Sequence, residues 1–142
     1  MAGVEGSTVS ASYAESSAIE PRADLSKRGR NSRNKGKVWE RRLVHLLVEV
    51  GVPAHRGLSQ TAGATTPDVD APGLWIECKC GKRPNPRAAL AQAARDNPGG
   101  RLEVVAIHDD QETPGAGATE WVAMPLSDWL ELVSEWHRGR RE

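Results

Sequence analysis

The first clear pattern along the chain is helical and lies between residues 34 and 50. Placed at about 100° per residue, the apolar side chains of this segment fall on one face, namely Trp39, Leu43, Leu46, Leu47 and Val50. Gly51 follows directly and is predicted to end the helix just beyond its C-cap. Glu40 lies on the flank of the apolar face, so its side chain is predicted to point towards the domain interior. Taken alone, such a position is more often a partly exposed glutamate at the edge of an apolar stripe.

Shorter apolar runs after this helix predict strands. We expect a short strand at residues 52–56, a brief extended piece at 67–71, and a clear strand in LWIECK (74–79), where apolar Leu74 and Ile76 alternate with Trp75 and Glu77. The remaining segments are predicted to form, in order, a helix (NPRAALAQAARD), two strands (RLEVVAIH and GATEWVAMP) and an amphipathic helix (LSDWLELVSEW). This order predicts one mixed α/β domain.

The tryptophans divide into two groups by their place in these patterns. Trp39, Trp129 and Trp136 lie on apolar helix faces and are predicted to be core residues. Trp75 and Trp121 are out of step with the apolar strand residues. Either could stack on a ligand or line an interface between subunits, although packing is the simpler expectation.

Composition and charge divide the chain at about residue 33. The formal net charge is zero, with 19 basic and 19 acidic residues, so no overall field draws the chain to nucleic acid or membrane. Residues 1–33 are rich in small and polar residues without apolar periodicity and are predicted to be a disordered tail, followed by a folded domain at 34–142. Six basic residues and no acidic one lie between Lys27 and Lys37, including Lys35. This basic segment could fold onto DNA or be a solvated linker.

Cysteine usage and the absence of long apolar runs bear on location. Cys78 and Cys80 are the only cysteines, and two residues apart on one strand they are poorly placed to form a disulfide. No run approaches the roughly 18 apolar residues of a membrane span, and the first residues do not have the pattern of a secretory signal. We therefore expect an intracellular protein.

The candidate chemistry lies in the stretch TPDVDAPGLWIECKC. Residues two apart in a strand share a face, so Glu77 and Lys79 project together, about 7 Å apart. If the PDVD segment pairs beside this strand, Asp68 comes alongside Glu77. Two carboxylates are hard oxygen ligands of the kind that Mg²⁺ binds, and a neighbouring lysine could assist water attack on a phosphodiester. Glu40 would complete the acidic cluster from the first helix.

These residues match a known pattern. KGKVWERRLVHLLVEVG, HRGLSQ, PDVDA and LWIECK together resemble the PD-(D/E)XK nuclease superfamily, and within it the archaeal and phage Holliday junction resolvases. The resemblance implies a restriction-endonuclease-like fold, with a mixed five-stranded sheet flanked by helices. It also implies a homodimer that hydrolyses branched DNA, such as a four-way junction, with Mg²⁺ or Mn²⁺.

The resemblance also implies roles for individual residues. Glu40, Asp68 and Glu77 correspond to metal ligands and Lys79 to the catalytic lysine. Ser59 corresponds to a loop serine near the scissile phosphate, Arg56 to a phosphate contact, and Gln92 to a glutamine near the site. Independently of the resemblance, the basic residues just past the motif could steer a phosphate backbone or be solvated charges, namely Lys82, Arg83, Arg87 and Arg95. Lys35 and Lys37 of the basic segment are further candidates for DNA contact.

Two features depart from the family pattern, the long Ser-rich N-terminal segment and the proline-broken CGKRPNP after Lys79. Three classes of function therefore stay open. The leading one is a junction-resolving endonuclease. The second is another phage or restriction-like nuclease of the same superfamily, and the third is a branched-DNA-binding module without catalysis.

Overall fold

A mixed β-sheet with helices on its faces forms the body of the protein. The computed structural model describes residues 22–58, 65–110 and 119–141, and these contain three helices and five strands. The elements are α1 (Arg22–Glu49), β1 (His55–Arg56), β2 (Val69–Ala71), β3 (Leu74–Gly81), α2 (Pro86–Asp96), β4 (Leu102–Asp109), β5 (Glu120–Ala123) and α3 (Leu126–Gly139). The predicted α/β class, with a mixed five-stranded sheet, is confirmed.

The sheet has the strand order β1-β2-β3-β4-β5. The neighbours β1–β2, β2–β3 and β4–β5 are antiparallel, whereas β3 and β4 are parallel. Parallel neighbours need a crossover connection, and α2 supplies it. Asn85 caps this helix, since its side-chain Oδ1 accepts a hydrogen bond from the Ala88 N–H at 3.0 Å, and Pro86 occupies the first turn, where no N–H is needed.

Helix α1 is longer than the pattern predicted. It begins at Arg22 and not near residue 34, so residues 22–33 are helical where a disordered tail was predicted. The rest of the predicted tail, residues 1–21, lies outside the described residues. Every residue from 26 to 35 is exposed, so this half has no apolar stripe that periodicity could reveal. Lysine and arginine are good helix formers, and the second half of α1, which packs on the sheet through Trp39, supplies a helix on which the first half continues.

The end of α1 matches its prediction. Gly51 has a φ of 85°, which favours glycine, and it lies directly after the helix. The Val52 N–H donates to the Leu47 carbonyl at 2.9 Å, and the Gly51 N–H donates to the Val48 carbonyl at 3.0 Å. This pair of bonds is a Schellman motif, and it turns the chain towards β1.

The core lies on both faces of the sheet. On one face α1 packs Trp39 against Ile76 and Ala106, and the Trp39 indole N–H donates to the Ala106 carbonyl at 3.1 Å. On the other face Ala89 of α2 packs against Val105 and Ile107. The predicted core position of Trp39 is confirmed.

The core prediction for the last helix is wrong. Trp129 and Trp136 are 47% and 57% exposed, and no residue of α3 is buried. Periodicity predicts that a helix has an apolar face, but it does not specify what covers that face. None of the described helices is both long and apolar enough to cross a membrane.

Candidate active site

Strand register brings Asp68 beside Glu77. Val69 of β2 pairs with Ile76 of β3, so the next pair outwards places Asp68 opposite Glu77. The Asp68 carboxylate is fixed from β3 as well, because its Oδ2 accepts a hydrogen bond from the Cys78 N–H at 2.8 Å. The predicted juxtaposition of the two carboxylates is therefore present.

Glu77 is held at both of its carboxylate oxygens. It is only 2% exposed. The Trp75 indole N–H donates to Oε1 at 3.1 Å, and the Gln92 amide donates to Oε2 at 3.2 Å. The Gln92 carbonyl in turn accepts a hydrogen bond from Lys79 Nζ at 3.3 Å. Gln92, which the resemblance placed near the site, links Glu77 to Lys79 from α2.

The Glu77 carboxyl group has an unusual affinity for protons. Burial raises its pKa to about 7, and the negative charge of Asp68 acts in the same direction. The hydrogen bond from Trp75 and the charge of Lys79 oppose this rise without cancelling it. A bound cation would favour the ionised form of both carboxylates, so a site that holds Asp68 and Glu77 together is suited to a cation.

Glu40 reaches the same region from α1 but has a different partner. Arg56 contacts the Glu40 Oε2 through Nε at 2.7 Å and through Nη2 at 2.6 Å, and the Glu40 side chain is largely buried. Glu40 is still close enough to act on Cys78, since burial raises the pKa of that thiol and the charges of Asp68 and Glu40 raise it further. Arg56, which the resemblance placed on a phosphate, is here an ion-pair partner of Glu40.

The donor set fits a hard divalent cation. Carboxylate oxygens are the ligands that Mg²⁺ and Mn²⁺ prefer, and Asp68 and Glu77 offer them side by side. Within residues 22–58, 65–110 and 119–141, no group of three or more His, Cys, Asp or Glu side chains is arranged to hold a metal ion. The expected convergence of three carboxylates is not formed here, because Arg56 holds the carboxylate of Glu40.

A basic cleft opens beside the carboxylates. It has a volume of about 670 Å³ and lies between α1, the end of β1 with residues 57–58, and residues 66–68, which lead into β2. Arg33, Lys37 and Arg56 contribute positive charge to its wall, and Glu40 and Asp68 lie on the same wall. A cleft with cations around a carboxylate site can accept an anionic backbone next to a bound metal.

The other predicted residues lie elsewhere. Lys35 pairs with Asp110 at 3.0 Å, away from the cleft. Lys82 and Arg83 are exposed in the turn after β3. Ser59 lies outside the residues that the structure describes. Of the basic positions predicted to contact DNA, Lys37 and Arg56 line the cleft, and Lys35, Lys82 and Arg83 do not.

Two residues at the site were not predicted to act there. Gly57 donates its N–H to the Asp68 carbonyl at 3.0 Å, and a Cβ on Gly57 would lie 1.8 Å from the Pro67 carbonyl oxygen. No sequence signal reveals such a close approach. Trp75 had a usable signal, since it lies two residues before Glu77 in a strand and so shares its face.

No protein-family model, curated protein or solved structure matches the chain. The site is defined by its own geometry: Asp68 lies beside Glu77, Gln92 links Glu77 to Lys79, and Asp68 borders the basic cleft.

Proposed function

We propose that this chain is a divalent-metal-dependent DNA endonuclease that acts on four-way junctions. The observation that carries the proposal is the placement of Asp68 directly beside Glu77, with Lys79 linked to Glu77 through Gln92. Neither packing nor solubility requires two carboxylates to be brought together at a buried position, whereas binding of a metal ion does.

In this proposal Asp68 and Glu77 hold Mg²⁺, or Mn²⁺ in its place, and Glu40 joins them directly or through water. A divalent ion there supplies Lewis acidity, which lowers the pKa of water and withdraws charge from the phosphate. Lys79 orients the attacking water or stabilises the charge that develops on the phosphate. Gln92 keeps Lys79 and Glu77 in fixed relation, so that both face the same reacting group.

The DNA backbone would enter along the basic cleft and the first half of α1. Arg33 and Lys37 project from α1 into the cleft wall, and the exposed segment 26–35 adds further positive charge along the same helix. A phosphate in the cleft competes with Glu40 for Arg56, so substrate binding can release the Glu40 carboxylate. Contacts of this kind make affinity fall steeply with salt concentration.

A four-way junction as substrate requires two active sites. Symmetric nicks in opposed strands need catalytic centres related by a two-fold axis, and therefore a homodimer. The exposed apolar side chains of α3 support self-association. A DNA substrate also assigns the protein to an intracellular compartment, such as the cytoplasm of a cell or of a phage-infected host.

The experiment that tests the proposal is cleavage of a labelled four-way junction and of a linear duplex of matching sequence, with Mg²⁺ and with EDTA. Asp68→Asn removes a proposed ligand, and Asp96→Asn at the end of α2 is the matched control. We expect paired symmetric nicks in the junction alone, abolished by EDTA and by Asp68→Asn and retained in the control.

Other results lead to other functions. Equal cutting of the linear duplex would keep the metal site and move the protein to the general nucleases of this superfamily. Junction binding without any cutting would refute catalysis and leave a branched-DNA-binding module.

A further inference from the structure

Trp75 is placed to act on the candidate metal site although it is an apolar core residue by burial. Its side chain is 2% exposed, and it precedes Glu77 by two positions in β3, on the same face of the sheet. Its indole N–H donates to Glu77 Oε1 at 3.1 Å. Together with the Gln92 bond to Oε2, this contact restrains the rotation of the Glu77 carboxylate.

Trp75 is itself held from the far side. The Arg101 guanidinium lies over the indole ring, 5.9 Å from its centroid. Arg101 Nη1 pairs with Asp70 Oδ1 at 2.9 Å, and Asp70 is the register partner of Trp75 across the β2–β3 pair. A continuous set of contacts thus runs from Asp70 through Arg101 and Trp75 to Glu77.

We propose that Trp75 is a positioning residue, which orients the Glu77 carboxylate for a divalent cation through its indole N–H. The inference rests on the proposed function, because it assumes that Glu77 is a metal ligand. Its physical basis is that a ligand carboxylate already fixed by hydrogen bonds loses less freedom when the metal binds. Loss of such an outer partner typically costs about 10- to 100-fold in metal affinity.

A second tryptophan provides a matched control. Trp39 is also buried, and its indole N–H donates to a single acceptor, the Ala106 carbonyl, on the opposite face of the sheet. Trp75→Phe and Trp39→Phe each remove one buried N–H and keep an aromatic ring. They differ in whether the lost bond reaches Glu77, so a purely structural role for Trp75 predicts the same behaviour of both variants.

The test measures Mn²⁺ binding by isothermal titration calorimetry, without DNA, alongside unfolding in urea. We expect Trp75→Phe to weaken Mn²⁺ binding about 10-fold and Trp39→Phe to leave it within about twofold, while both variants lose stability. Equal Mn²⁺ affinity in wild type and Trp75→Phe would overturn the inference and leave the proposed function intact. No Mn²⁺ binding by wild type would overturn both.

A second variant keeps the inference testable if Trp75→Phe does not fold. Arg101→Gln leaves the indole in place and removes the guanidinium that holds it. We expect a loss of Mn²⁺ affinity smaller than the roughly 10-fold loss expected for Trp75→Phe, because the indole N–H remains. Unchanged affinity in a folded Arg101→Gln protein would contradict the proposed chain of contacts.

Discussion

At the scale of single residues, the site combines side chains that oppose one another in the metal-free protein. Asp68 and Glu77 repel each other, and burial penalises the charge of Glu77, so its pKa lies near 7. Burying the charged Glu77 carboxylate destabilises the folded protein, and the hydrogen bonds from Trp75 and Gln92 offset part of that destabilisation. The pair should therefore be a local source of instability that a cation relieves.

The pH dependence of stability follows from this pKa. Glu77 has a higher pKa in the folded protein, about 7, than its ordinary value of 4.5. Between these values the folded state binds more protons than the unfolded state, so the contribution of Glu77 to stability is lost as pH rises from about 4.5 to 7. Glu77→Gln has no ionisable carboxyl group at this position, so its stability does not fall with pH in this way.

We compare the free energies of unfolding of Glu77→Gln and wild type in EDTA at pH 4.5 and at pH 8. The value for Glu77→Gln minus that for wild type should increase by about 1 to 3 kcal/mol from the lower pH to the higher, because only wild type loses the contribution of Glu77. Urea denaturation at both pH values measures it. Glu131→Gln, at an exposed position of α3, is the control. A difference between Glu77→Gln and wild type that is the same at both pH values would show that Glu77 is not the group responsible.

At the scale of elements, the connection after β1 sets the position of Asp68. Gly57 donates to the Asp68 carbonyl and approaches Pro67 so closely that no side chain fits between them. This contact holds the end of β1 against the segment that enters β2, and thereby against Glu77 through the β2–β3 register. A change at Gly57 should act on the site without touching either carboxylate.

Gly57→Ala places a methyl group 1.8 Å from the Pro67 carbonyl oxygen. We expect a loss of about 1 to 3 kcal/mol in the free energy of unfolding, because backbone on both sides must move. We also expect weaker Mn²⁺ binding, because Asp68 moves with Pro67. Calorimetry and urea denaturation measure the two effects.

The same substitution at Gly36 of α1 is the control, since a Cβ there meets no atom within 4 Å. Gly36→Ala should raise stability by up to about 1 kcal/mol through helix propensity and leave Mn²⁺ binding unchanged. If Gly57→Ala binds Mn²⁺ as wild type does, the proposed link between this connection and the site is wrong.

At the scale of the whole molecule, the sheet is covered unevenly. Helices α1 and α2 each bury residues against it, whereas α3 leaves large apolar side chains exposed, among them Leu126, Leu130 and Trp136. α3 is tied to the sheet through Asp128, whose carboxylate accepts a hydrogen bond from the Glu103 N–H at 2.8 Å. An exposed apolar helix face of this kind is typical of an interface with another chain.

If α3 mediates the proposed homodimer, charges on its apolar face should dissociate it. We expect wild type to run as a dimer in size-exclusion chromatography with light scattering, and the double variant Leu130→Glu, Trp136→Glu to run as a monomer. The monomer should lose paired nicking of a junction and keep Mn²⁺ binding, because the carboxylates lie within one chain.

Val48→Glu, at an exposed position of α1, serves as the control for an added charge. It should remain a dimer. A double variant of α3 that stays dimeric would place the interface elsewhere, and a monomeric wild type would remove the support for symmetric cleavage.

Much of the site could be predicted from local patterns. The alternation in LWIECK placed Glu77 and Lys79 on one face, because this inference depends on strand geometry over a few residues. The helix spacing placed Glu40 at the edge of the apolar face of α1 for the same reason. The position of Asp68 alongside Glu77 was predicted on the condition that PDVD pairs with this strand, and the register of β2 and β3 meets that condition. The periodicity of apolar residues within each segment was also enough to predict the order of helices and strands.

The sequence by itself thus determined the α/β class, the order of the elements and the shared face of Glu77 and Lys79, since these follow from repeats of 2 and about 3.6 residues. Only the tertiary structure decided that Arg56 holds Glu40, that Trp75 donates to Glu77, that Gly57 lies against Pro67, and that α3 stays exposed. Each of these depends on which surface meets which, and that is set by packing between segments distant in the chain rather than by spacing within one.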